Sequence, residues 1–143
     1  MNRKIITRRL SKYLLLTFLV GSFLTFLAIQ IFYSKEAGSL EGNQGIFIMV
    51  LAGIFWTLIL TLSSLTVFFN VNDKVRHSKL YSALTFFSAP FLLTTIVFIT
   101  SDSKDMWQPF FIMTVSFFVT HFYFYYKFTS TDFDQIIDEQ KSV

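Results

Sequence analysis

His121, Ser63 and Ser64 are the residues whose types could carry reaction chemistry, because a serine and an imidazole on different segments can pair as nucleophile and general base. Their local context argues against a hydrolase. No glycine-flanked nucleophile turn surrounds either serine, and both lie in an unbroken apolar run, where hydroxyls ordinarily bond back to their own helix. A haem would ask for a second axial ligand at the depth of His121, and the one other histidine, His77, falls in a polar connection. The chain has no cysteine, which removes disulfides, thiolate metal sites and cysteine nucleophiles together. Neither catalysis nor a bound metal or cofactor is therefore expected. His121, set among Phe117, Phe118, Phe122, Tyr123, Phe124 and Tyr125, reads as a hydrogen-bonded structural histidine, with a pH-sensing or ligand-binding role as the alternative. Trp56 is the other candidate functional side chain. Its indole N–H sits in the middle of an apolar stretch, where it needs a partner; packing against a neighbouring helix is the expected role, and lining a ligand site or pore the alternative.

The elements holding these residues follow from composition. Hydrophobic residues make up 53% of the 143, and only 15% are charged, too apolar a mixture to cover a water-facing surface. Four stretches lack Asp, Glu, Lys and Arg: Tyr13 to Tyr33, Gly45 to Phe69, Leu80 to Thr100, and Met106 to Tyr126. At a rise of about 1.5 Å per residue, each is long enough to cross the ~30 Å hydrocarbon layer of a bilayer. The short connections, Ser34 to Gln44, Asn70 to Lys79 and Ser101 to Asp105, make consecutive helices antiparallel neighbours. The expected fold is an all-α integral membrane protein, a four-transmembrane-helix bundle running up-down-up-down. A basic segment over 1–12 precedes the transmembrane domain at 13–128, and an acidic tail occupies 129–143. The first span, longer than the apolar region of a secretory leader, reads as an uncleaved anchor.

Orientation comes from the basic residues. Arg3, Lys4, Arg8, Arg9, Lys12, Lys74, Arg76, Lys79, Lys127 and Lys141 account for ten of the twelve Lys and Arg, and all ten fall on one side. Lys35 and Lys104 lie on the other, with Glu36, Glu41, Asp102 and Asp105. The positive-inside bias predicts both termini in the cytoplasm. The net charge of +3 is thus accounted for by topology, and no nucleic-acid partner is expected. Tyr13, Tyr33, Tyr81, Trp107, Tyr123, Tyr125 and Tyr126 cluster near the predicted span ends, where amphipathic rings are favoured. In the tail, Thr131 followed by Asp134 suggests a short amphipathic helix with Phe133, Ile136 and Ile137 on one face, which an anionic leaflet would repel and a basic surface would attract.

Small residues mark the helix contacts. Thr17, Gly21 and Thr25 recur at intervals of four in the first span; Gly53, Thr57 and Thr61, continued by Ser64, do so in the second; Ser116 and Thr120 form a shorter pair in the fourth. Such spacing lets backbones approach closely where lipid supplies no hydrophobic drive between helices. The stripes are read as packing determinants, or as an interface for self-association or a partner. Pro90, midway along the third span, removes a backbone hydrogen bond and crowds the carbonyl of Phe86, so a kink or hinge is expected there; Pro109 suits a helix start.

No acidic or basic residue lies inside any predicted span, which argues against a pump, an ion-coupled transporter or a voltage sensor. The remaining reading is a non-catalytic protein of the bilayer, most simply a bacterial inner membrane, that acts through protein contacts. Its concrete forms are an accessory subunit of a membrane complex or an immunity protein against a membrane-acting toxin, which the chain resembles in size and topology. The alternative is a small oligomeric channel or facilitator for an uncharged or lipid-like solute, lined by the Thr and Ser stripes.

Overall fold

The computed structural model describes residues 2–35, 38–101 and 107–130. The tail from Thr131 onward, with its proposed amphipathic helix, and the loop residues Glu36, Asp102, Lys104 and Asp105 lie outside the described residues. Within them the chain is helical without strands: α1 (Asn2–Phe32), α2 (Leu40–Ser63), a 3-10 segment (Ser64–Val71), α3 (Asp73–Arg76), α4 (Lys79–Thr100) and α5 (Trp107–Thr129). Three helical stretches are long and apolar enough to cross a membrane: Arg3–Phe32, Leu40–Val71 and Lys79–Thr100. The fourth expected span is a helix, α5, but it is not among the three. Gln108, Pro109, His121 and the tyrosines at 123, 125 and 126 dilute its aliphatic content. Its position suits that composition. With Ile112, Met113, Thr114, Phe117, Thr120, His121, Phe124 and Phe128 buried, α5 is the most enclosed of the long helices, against α1 along its length and against α2.

α1 starts eleven residues before the expected span and runs unbroken through the basic segment. Ile6 and Leu10, each 1% exposed, hold this extension down in a core with Leu14, Val67, Phe86 and Phe128. One end of the fold therefore gathers the start of α1, the 3-10 segment, the first half of α4 and the end of α5. A second core, Ile29, Ile46 and Met113, closes the opposite end of α1 against α2 and α5. Ser39 starts α2 by accepting the Gly42 N–H at 2.9 Å, and Gly38, at φ 108°, supplies the left-handed residue before it.

The end of α2 has a local cause. The hydroxyls of Ser63 and Ser64 both donate to the Leu60 carbonyl, at 2.7 and 2.8 Å, and so compete with the backbone N–H groups that would continue the α ladder. The chain tightens into eight residues of 3-10 helix, a long run for that winding. With three residues per turn, Ser64, Val67 and Asn70 stack on one face, and all three are buried. Asn70, at the start of what reads from sequence as a loop, is 0% exposed and donates to the Val67 carbonyl (3.0 Å) and to Thr85 Oγ1 on α4 (2.6 Å), while Thr66 donates to the Thr85 carbonyl (2.7 Å). These bonds fasten the 3-10 segment to α4. Asn70→Ala is expected to lower stability by about 1–2 kcal/mol, measured by unfolding in mixed micelles. An unchanged transition would show that the buried amide holds nothing.

Candidate functional site

The small-residue stripes of α1 and α2 face each other. A Cβ built on Gly53 would lie 2.6 Å from Thr25 Cγ2, and one on Gly21 would lie 3.2 Å from Thr57 Cγ2 and 4.0 Å from Thr120 Oγ1. Three backbones, those of α1, α2 and α5, thus converge where glycine permits it. Most of the hydroxyls are committed within their own helices: Thr17 donates to Tyr13, Thr57 to Gly53, Thr61 to Thr57, Ser116 to Ile112 and Thr120 to Ser116, each at 2.8 or 2.9 Å, while Thr25 Oγ1 is buried without a hydrogen-bond partner among the described residues. Thr17, Thr25, Thr57, Thr61, Ser64 and Thr120 are all buried. A pore lined by these residues would have to open where the helices are in contact.

His121 and Pro90 are joined through a third residue. Proline at 90 has no N–H to give to the carbonyl of Phe86, four residues earlier, and its ring displaces that carbonyl from the helix ladder. The freed oxygen is met by His121 Nε2 of α5 at 2.9 Å. A carbonyl only accepts, so Nε2 carries the hydrogen; Nδ1 is buried and has no hydrogen-bond partner among the described residues. The ring stacks on Phe117 (5.2 Å, 17° between planes) and meets Phe87 edge-on at 5.4 Å. Pro90 and His121 thus form a buried polar fastening between α4 and α5, which also meet through rings, Phe86 and Phe87 against Tyr125 and Phe98 against Phe110. Ser63 and Ser64 are engaged at Leu60 and His121 at Phe86, so no serine–histidine pair is assembled. His77 caps α3 and is exposed.

Beyond Pro90, the buried positions of α4 end at Thr94. Val97, Phe98 and Ser101 instead line a cavity of about 470 Å³ shared with Met49, Ala52, Phe55 and Trp56 of α2 and Trp107, Phe110 and Met113 of α5. It is partly open, almost wholly apolar, and within the ~300–1,000 Å³ range of small-molecule sites. Trp56 forms part of its wall. The indole Nε1 donates to Thr114 Oγ1 at 3.1 Å, and the ring packs on Phe110 at a centroid distance of 4.6 Å, with Phe98 against Phe110 at 4.9 Å. A fixed tryptophan with its N–H satisfied presents only a hydrocarbon face to the cavity. Phe98, Phe110 and Thr114 were not singled out by sequence reasoning; Thr114 carries no local signal, since its role depends on a residue 58 positions away.

Among the described residues, no group of three or more His, Asp or Glu side chains comes together to hold a metal ion. The chain matches no family model, no curated protein and no solved structure.

Proposed function

We propose that this is a four-span membrane protein with both ends in the cytoplasm, and that it works by apolar contact with another membrane protein, which places a side chain or helix edge in the cavity between α2, α4 and α5. One observation carries the reading. The hydroxyls of the helix stripes other than Thr25, the imidazole Nε2 and the indole N–H are engaged inside the bundle, so what the described span surfaces offer outward is mainly hydrocarbon, with a sizeable lateral concavity walled by Trp56, Phe98 and Phe110. The basic asymmetry supports the orientation, and the enclosure of α5 by its neighbours supports a span that is less aliphatic than the others. The buried stripes favour contact over conduction, because widening them into a pore would separate Gly53 from Thr25.

The test is recovery of the partner. Affinity purification from native membranes is expected to yield a stoichiometric second protein, with a photo-crosslinker at Phe55 joining the two. Ala52→Trp, which fills the cavity from an exposed position, is expected to reduce recovery at least tenfold while leaving the melting temperature within a few degrees. Repeated isolation of the protein alone from native membranes would end the proposal, and solute flux through vesicles of the purified chain would replace it with a channel. A reporter active only in the cytoplasm, fused after Val143, is expected to give signal; silence there would reverse the orientation.

A further inference from the structure

The extension of α1 below the expected span is a charged helix whose two faces have separate duties. Ile6, Leu10 and Leu14 point into the core, and so, further along, do Thr17, Gly21 and Thr25. At 100° per residue, Lys4, Arg8 and Lys12 lie on the other side, within an arc about 100° wide that also contains Leu15, Leu19, Phe23 and Phe26. All three basic residues are exposed, and the four apolar ones are 59%, 52%, 59% and 41% exposed. The stripe is continuous: hydrocarbon for three turns, then a positive charge at each successive turn toward the N-terminus.

From this geometry we infer that Lys4, Arg8 and Lys12 form a docking stripe for the headgroups of anionic phospholipids whose acyl chains lie along Leu15, Leu19 and Phe23. Successive charges are about 6 Å apart along the axis, so Lys12 and Arg8 fall within a headgroup layer of roughly 5–7 Å on one side of the hydrocarbon, and Lys4 lies a further turn out on its water side. Lys12, one turn below Leu15, reaches the phosphate level of the same lipid by extending its side chain away from the hydrocarbon. Arg8 presents a planar fork to phosphate at the next turn. The choice of a lipid over an acidic protein rests on that alignment, because the basic residues continue the same exposed face as Leu15, Leu19 and Phe23, which would lie against acyl chains if α1 crosses a bilayer. Among the described residues the charges of the stripe are those of α1 itself; Arg9 lies off the stripe at 100° per residue and is otherwise engaged. The inference depends on α1 crossing a bilayer, and not on the partner contact proposed above.

The full chain, reconstituted at low salt into vesicles of phosphatidylcholine containing a minority of phosphatidylglycerol, provides the measurement, with spin-labelled versions of each lipid reporting occupancy at the protein surface. The wild type is expected to prefer phosphatidylglycerol at least about fivefold, the order of one basic residue's attraction to an anionic surface. The preference should shrink in 1 M salt. Arg8→Gln with Lys12→Gln is expected to bring it close to unity, whereas Arg3→Gln with Lys74→Gln removes the same charge from off the stripe and should leave it largely intact. Unfolding curves of both double variants check that the fold persists. Equal loss from the two pairs, or no preference in the wild type, overturns the inference. So does a preference that emerges only when residues 131–143 are deleted, which would make the chain's own acidic tail the occupant. Loss of the protein partner without loss of lipid preference bears only on the earlier proposal.

Discussion

Replacing His121 with leucine is expected to lower stability by about 2–3 kcal/mol, the cost of leaving a buried carbonyl with no donor. The acceptor concerned is the Phe86 oxygen, which Pro90 deprives of its helical partner and which His121 Nε2 supplies at 2.9 Å. Inside a bundle no water replaces the lost bond. The source of the penalty can be isolated, because it exists only while residue 90 is proline. Pro90→Ala restores an N–H four residues after Phe86, and in that background His121→Leu should lose at least about 1 kcal/mol of its effect. A double-mutant cycle measured by detergent-denaturant unfolding gives the coupling directly. Coupling near zero would mean that the histidine stabilises the bundle through its ring contacts with Phe117, Phe87 and Phe86 and not through the hydrogen bond.

The second large effect lies at the crossing of α1 and α2. Gly53→Ala is expected to cost about 1–3 kcal/mol, the range for overfilling a close-packed site, because the new methyl would sit 2.6 Å from Thr25 Cγ2 and 3.4 Å from Met113 Cγ. Threonine cannot swing aside, being branched at Cβ and stiff about χ1. The same neighbour offers the remedy. Thr25 Oγ1 is buried with no hydrogen-bond partner among the described residues, so Thr25→Ala removes both the obstructing methyl and an unsatisfied hydroxyl. Gly53→Ala with Thr25→Ala should recover most of the loss, while Gly53→Leu should not be recoverable by any change at position 25. The readout is the thermal transition of the purified protein. A Gly53→Ala variant as stable as the wild type would show that the helices can separate without penalty.

What was legible in the sequence is what depends on local pattern. The helical stretches follow from apolar runs, and their ends from charge: Lys79 to Thr100 differs from the expected third span by one residue at its start. The glycine and threonine spacing in α1 and α2 is likewise local, and the structure sets those residues opposite one another. Pairings between distant segments were not legible. Sequence placed Pro90 against the Phe86 carbonyl and His121 among aromatic rings, but nothing in either segment says that the imidazole meets that oxygen 35 residues away. Asn70 was misjudged for a related reason. An asparagine after an apolar run reads as the start of a loop, and only the 3-10 winding set off by Ser63 and Ser64 turns it inward to Thr85. The first turns of α1 were hidden by their charges, since Ile5, Ile6 and Leu10 stand among five basic residues, and Ile6 and Leu10 gain their core only when Val67, Phe86 and Phe128 arrive.

The winding of residues 64–71 also makes that segment a screw of fixed pitch. At about 2.0 Å per residue against 1.5 Å, the eight residues are roughly 4 Å longer than they would be as α-helix, and between Ser64 and Asn70 they carry about 120° more rotation. Rewinding to α-helix would shorten the element and swing Asn70 away from Thr85 in a single coupled movement. The Asn70 to Thr85 bond at 2.6 Å and the Thr66 to Thr85 bond at 2.7 Å therefore fit the longer, more tightly wound form of the segment.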